Sequence, residues 1–355
     1  MNVKIAFLIL LFCASGAYCA PVNEGVFAPE RLGSVLGQDG VTPIQIKAGD
    51  GSEALLWTFG DTILGGWKGA VVTTATLNFN AAADMTAMPC NTMALSPALS
   101  SANYRSPGFV FYAPAGKVRE FIDYREGENP FSKRFWAAGG AQLGENIYVY
   151  YMDVDIDKAA PGGFVFRGAG LARARRPQKA KPGALSFERV DGFRAEGLAV
   201  GDSALARGKY LYVLGRLSKA GDGRLTSLAL MRVKPRYVED FSRYEFLTNK
   251  GKWSRKERGA FFDDVAGEPS LSFDPVKKVY RMIYMSFAAQ KVMAVEFADF
   301  PRFARAPAAV PLYTPPPKAG VLYYSAKEIF SDAGNIYFIY IDPSIYQPLL
   351  VRVPR

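Results

Sequence analysis

Apolar and polar positions along this chain alternate in short runs and almost nowhere recur at helical spacing. The repeating unit is a short aromatic-rich strand, a turn carrying Gly, Asp or Asn, then another strand. The clearest runs are Ala54–Asp61 (ALLWTFGD), Gly144–Val154 (GENIYVYYMDV) and Arg207–Arg216 (RGKYLYVLGR). Two more follow at Asp274–Phe287 (DPVKKVYRMIYMSF) and Asp332–Pro343 (DAGNIYFIYIDP). Their Tyr, Ile, Val and Phe suit a pleated, buried surface, and Gly and Asn supply left-handed turn conformations. After a longer first interval the runs recur about every sixty residues, the spacing of a propeller built from small sheets. No such sheet buries both faces alone, so closure of a ring must supply the core. The pattern predicts an all-β fold, a five-bladed β-propeller, as one domain over residues 21–355. A β-sandwich or two all-β domains are the alternatives, and no linker breaks the repeat strongly enough to favour them. The longer first interval is expected to hold extra strands at Val71–Phe79 and Phe109–Asp123, separated by a loop at Ala81–Ser106.

The chain starts with Lys4, an apolar run from Ile5 to Phe12 and small residues from Ala14 to Ala17. That run is too short to span a bilayer and fits a cleaved signal peptide over residues 1–20. The expected product is secreted or periplasmic. Acylation of Cys19 is the alternative, but Tyr18 is bulky where a lipoprotein signal has a small residue. No later run predicts a membrane span. Cys13 and Cys19 fall in or beside the leader, so of three cysteines only Cys90 is securely in the domain, and a disulfide framework is excluded.

Composition narrows the chemistry. The chain contains no histidine, which removes Ser-His-Asp and Cys-His catalysis and histidine-ligated zinc together. Carboxylates, Tyr, Lys, Ser or a hard cation remain. The net charge of +10 is spread out except at Arg173–Lys181 (RARRPQKAK), which carries Pro177 and no interleaved aromatics. It reads as a solvated loop, so no nucleic-acid partner is expected. Asp153, Asp155 and Asp157 alternate in MDVDIDK, but lack the glycine and terminal glutamate of a calcium loop. No cofactor is expected, calcium having no supporting motif.

One set of motifs runs through the chain in order. It begins with Gln38-Asp39-Gly40 and WTFGDTIL at Trp57–Leu64, then Asn91-Thr92 and Arg134-Phe135-Trp136 ahead of Gly139-Gly140. Gly201–Ala204, Met231–Val233, Tyr244–Phe246, Gly251–Trp253 and Gly267–Ser270 follow. Tyr346–Leu350 then leads into Val351–Val353. In this order the chain resembles the DUF4185 family over essentially its whole length beyond the leader. The resemblance implies a five-bladed propeller related in architecture to several glycoside hydrolase families. Some members are endo-acting D-arabinofuranases with paired carboxylates, so it also implies a hydrolase of a furanose-containing, arabinan-like polysaccharide.

Glycoside hydrolysis needs one protonated carboxyl as acid and one ionised carboxylate as base or nucleophile. Asp61 follows Gly60 at the end of Trp57-Thr58-Phe59, where an innermost strand would reach the propeller mouth. Partial desolvation there raises a carboxyl pKa; alternatively Asp61 caps a turn. Residues 41–56 can form a strand-turn-strand about Gly49-Asp50-Gly51, folding Asp39 back beside Asp61, although Asp-Gly is also a common turn. Asp39 and Asp61 are thus the candidate catalytic pair. Asp202 and Glu268 each follow a Gly near the start of a blade. They are positioned to orient a sugar hydroxyl, tune the pair or hold a cation, or else to bind a neighbouring blade's backbone. Trp136 stacks on a sugar or packs in the core, and Asn91 holds a hydroxyl or caps a turn. The rival function is a non-catalytic propeller, binding glycan or protein at the same funnel. A monomer is expected.

Overall fold

A computed structural model describes residues 20–67, 83–160, 163–218, 224–298 and 308–355. The leader up to Cys19 and the expected strand at Val71–Phe79 lie outside the described residues. Five antiparallel sheets follow one another along the chain. Blade one is Thr42–Lys47, Glu53–Phe59, Thr92–Ser96 and Val110–Phe111. Blade two is Lys133–Leu143, Asn146–Ile156, Phe164–Arg175 and Glu188–Arg189, with Ala195–Glu196 also pairing to its third strand. Blade three is Leu198–Arg207, Tyr210–Ser218, Leu225–Val233, Glu245–Leu247 and Trp253–Ser254. Blade four is Val265–Asp274, Val279–Ser286, Val292–Phe297 and Val310–Tyr313. Blade five is Tyr324–Ser331, Asn335–Asp342 and Gln347–Pro354, completed by the N-terminal strand Val22–Val26. The two ends of the described chain therefore pair to close the ring.

Closure shows in two further ways. The first strand of each blade touches the first strand of the next, and that of blade five touches that of blade one. An apolar cluster also fills each seam. Ile44 and Leu56 meet Phe135 and Val149 between blades one and two, and Tyr150 and Leu171 meet Val200 and Val213 between two and three. Leu214 meets Met282 and Ile283 meets Phe338 at the next two seams, and Trp57 and Phe59 meet Tyr337 and Ile339 at the last. Each such side chain contributes about 1.5–3 kcal/mol on burial, so no blade is stable without its neighbours.

The five aromatic runs are the second strand of each blade, not the innermost. A second strand is covered on both faces and reads as near-continuous apolar sequence. The inner strands carry polar residues and bulges toward the axis, so their pattern is weaker. Asp61 accordingly does not end an innermost strand. The expected loop at Ala81–Ser106 holds two strands, Ala83–Ala87 and Thr92–Ser96, and Phe109–Asp123 contributes only Val110–Phe111. The basic stretch is likewise not all loop. Arg173–Arg175 ends the third strand of blade two, Arg173 pairs with Glu239 at 2.8 Å and Arg176 with Glu145 at 2.6 Å. Among the described residues no helix is long and apolar enough to cross a membrane.

Candidate active site

A sixth, three-stranded sheet (Val35–Gln38, Thr62–Trp67, Ala83–Ala87) grows directly out of blade one. One long hairpin belongs to both: Gln38 pairs with Thr62 in the small sheet, and Thr42 pairs with Thr58 in the blade. The hairpin bends between the sheets at residues 39–41 and 60–61, which puts Asp39 and Asp61 at the same level of the bend. Gly60 N–H donates to the Asp39 carbonyl at 3.0 Å and fixes the crossing. A side chain at Gly60 would run into Asp39 Oδ1, which accounts for the glycine in Phe59-Gly60-Asp61. Gly60→Ala should cost about 1–3 kcal/mol in thermal unfolding through this clash. The cost should shrink in an Asp39→Ala background; equal cost in both backgrounds would show that the carboxyl is not what the glycine accommodates.

Both acids are enclosed by protein while keeping part of their surface open; the Asp61 side chain is 15% exposed. Burial, then the facing charges of Asp61 and Glu268, push the Asp39 carboxyl up to about 7 against hydrogen bonds from Tyr346 and Tyr324. Burial raises Asp61 to about 6, opposed by Arg134 and the Trp136 indole. Arg134 Nε lies 3.8 Å from Asp61 Oδ1, an ion-pair distance rather than a hydrogen bond. That oxygen and Trp136 Nε1 are both buried, and neither completes a well-formed hydrogen bond.

Asp202 and Glu268 lie on the inner strands of blades three and four, each inside a bulge. Gly201 (φ 97°) and Gly267 (φ 72°) take left-handed conformations there that L-residues resist, turning the following carboxylate inward. Arg216 holds Asp202 with two bonds, Nε to Oδ2 at 2.8 Å and Nη2 to Oδ1 at 3.1 Å, and reaches Glu268 Oε1 at 3.2 Å. Glu268 also accepts from Ser325 Oγ and lies 3.7 Å from Lys327 Nζ. Lys327 in turn donates to the Gly40 carbonyl at 3.0 Å and Thr42 Oγ1 at 2.7 Å, beside Asp39. Lys327, Arg216 and Ser325 overcome burial to draw Glu268 down to about 2, whereas burial outweighs Arg216 and lifts Asp202 to about 6. Both are carboxylates at neutral pH. Along the axis a cavity of about 380 Å³ is lined by Asp202, Ser270, Ser272, Lys327 and Glu328.

The structure thus brings Asp39, Asp61, Glu268 and, through Arg216, Asp202 into one charged group drawn from blades one, three and four. Trp136 joins through its N–H edge near Asp61. Its ring packs edge to face on Phe164 with centroids 4.9 Å apart and sits against two apolar clusters. Asn91 does not join. It is fully buried, its Oδ1 accepts from Phe121 N–H at 3.0 Å and Ile122 N–H at 2.8 Å, and its Nδ2 donates to the Ile122 carbonyl at 3.4 Å. Asn91 is therefore corrected from a sugar ligand to a cap on the 120–122 loop, its polar groups already committed. Asp153 and Asp155 pair with Lys133 at 2.7 and 3.3 Å, and Asp155 with Arg167 at 2.7 Å. Sequence reasoning did not single out Arg134, Arg216, Tyr324, Ser325, Lys327 or Tyr346 as site residues. Arg134 and Tyr346 stood inside quoted motifs, which was the one available signal.

No protein-family model matches the chain, and no curated protein does. Among solved structures, one from Bacteroides ovatus, described only provisionally as a hydrolase, overlays with a TM-score of 0.64 at 16% identity, covering 90% of this chain and 86% of that one. The GH43_1 enzyme from Xanthomonas citri overlays more loosely, with a TM-score of 0.47 at 12% identity over 94% and 91% of the two chains. The α-L-arabinofuranosidase PaAbf62A from Podospora anserina gives 0.45 at 9% identity over 93% and 95%. The first supports the fold; the other two are too distant to carry an argument.

Proposed function

We propose that this chain is an exported glycoside hydrolase of the DUF4185 kind, cleaving a furanose-containing polysaccharide with Asp39 and Asp61. The observation that carries the reading is the bend of one hairpin, where two carboxyls are enclosed together and both are held above the usual carboxylate range. An acid-base pair working near neutral pH requires such values. Asp39 faces two other carboxylates and so favours its proton, which suits the general acid. Asp61 faces Arg134 and favours the ionised form, which suits the base or nucleophile. The Asp61 charge helps to raise Asp39, so ionisation of one bears on the titration of the other. The furanose assignment comes from the resemblance carried by WTFGDTIL and the motifs around it, and the export assignment from the leader.

The test is incubation of the purified protein with arabinans, other furanose-rich glycans and xylan, reading released fragments by chromatography. Fragments from the native protein, reduced at least about a hundred-fold in Asp61→Asn, are expected. Undiminished binding to a glycan, with no release by either protein, overturns the hydrolase in favour of a binding propeller.

A further inference from the structure

We propose that Tyr324 and Tyr346 are positioning residues for Asp39: the closing blade of the ring clasps the carboxyl carried by the first blade. The inference deepens the reading of Asp39 as general acid and rests on it. Tyr324 Oη donates to Asp39 Oδ2 at 3.0 Å, and Tyr346, in the turn ahead of Gln347–Pro354, lies beside the same carboxyl and favours its ionised form. Other tyrosines spend their hydroxyls differently. Tyr323, next in the chain, donates to the Pro316 carbonyl at 2.5 Å, and Tyr244 to the Val238 carbonyl at 2.7 Å. Those two donate to main chain, whereas Tyr324 donates to a carboxylate and Tyr346 stands beside it.

The backbone is bent to allow this. Tyr346 itself has φ 53°, and so does Ser325, which follows Tyr324. Non-glycine residues avoid that region, and where they occupy it the surroundings must hold them there. Ser325 lies in a bulge, where the pairing passes from Tyr324↔Ile341 to Lys327↔Ile339, and its Oγ is tied to Glu268. Tyr346 is tied through its carbonyl, which accepts Gln38 N–H at 3.1 Å, and its ring lies against Gly37, where an added Cβ would sit 3.1 Å from Cδ1. Two unfavourable conformations thus stand at or beside the two tyrosines that reach Asp39.

The chemistry follows from where the proton goes. Asp39 gives its O–H proton to the glycosidic oxygen as the C–O bond breaks, and the electron pair of the O–H bond stays on the carboxylate. The Tyr324 O–H, already aimed at that carboxylate, fixes its rotamer before transfer, and with Tyr346 beside it stabilises the charge afterwards. The other charged groups around Asp39 are Asp61 from blade one, Glu268 from blade four and Lys327 from blade five. Burial keeps both tyrosines well above their ordinary range, so they remain donors.

Tyr324→Phe and Tyr346→Phe keep the rings and remove only the hydroxyls. Each should lower kcat about ten-fold or more with KM near native. Both hydroxyls favour the ionised carboxyl, so their loss raises the Asp39 pKa and moves the basic limb of the pH profile to higher pH. The same shift should appear in the ¹³C-carboxyl titration of Asp39 in the full chain, the signal being assigned by its disappearance in Asp39→Asn. An unmoved titration in both variants, with lowered melting temperature only, overturns the clasp and leaves two core tyrosines. If the native chain cleaves no glycan, the proposed function fails, while the titration still decides the clasp.

Discussion

Asp39→Asn should inactivate this protein and stabilise it at the same time. The folded Asp39 carboxyl sits at about 7, against an ordinary value of 3.8. Between those values the folded chain holds a proton that the unfolded chain has lost, so stability falls as pH rises through this window. Above about pH 7 the native protein carries a buried charge facing Asp61 and Glu268, at a cost of about 2–4 kcal/mol. Asparagine keeps the shape and a hydrogen-bonding oxygen and removes the charge. Melting should therefore rise by several degrees at about pH 8, and the gain should vanish below about pH 4, where both states of the native protein are protonated. Activity should fall at least about a hundred-fold at every pH. An Asp39 that merely caps a turn gives the opposite result, a loss of stability at neutral pH, and that outcome would refute the assignment. The same carboxyl would then be a structural device rather than a site whose strain serves function.

The contrast between Asp39 and Tyr324 shows what could be read from the chain. Asp39 and Asp61 are joined by one hairpin, and alternation on either side of Gly49-Asp50-Gly51 is enough to fold one toward the other. Local pattern carries that information. Tyr324 meets Asp39 across 285 positions of sequence, at the one seam where the last blade returns to the first. Nothing in the Tyr323-Tyr324-Ser325 run marks which hydroxyl faces a carboxylate and which faces main chain. The same limit explains Arg216, which lies in the apolar second strand Tyr210–Ser218 and reads as a strand end until a bulge brings Asp202 to it. Asn91 fails in the other direction: a polar residue inside a family motif looked like a ligand, yet its oxygen is spent on two loop amides. The blade count was legible because second strands are buried on both faces. The placing of the Trp57–Phe59 strand at the axis was not, because inner strands trade apolar pattern for the polar groups of the site.

Glu268→Gln should have the opposite effect on stability from Asp39→Asn, and a larger one. Glu268 is where two buried cations converge, Arg216 at 3.2 Å and Lys327 at 3.7 Å. An amide leaves both without their shared counter-charge, and breaking a buried ionic group from one side costs about 3–5 kcal/mol. The expected loss is about 4–7 °C in melting temperature at neutral pH. Its pH dependence has a definite sign. The folded carboxyl is depressed to about 2 from 4.5, so its contribution is complete above about pH 4.5 and is lost as pH falls toward 2. Native and variant curves should therefore converge in acid. Adding Lys327→Met removes the cation left without its partner and should recover part of the loss, since an apolar replacement tolerates burial where an unpaired charge does not. A charge effect also reaches the acid pair. Glu268 helps to raise Asp39, so in Glu268→Gln the Asp39 titration should move to lower pH. Failure of the curves to converge in acid would mean that Glu268 acts by shape and hydrogen bonding, not charge. Asp39 would then be raised by burial and Asp61 alone.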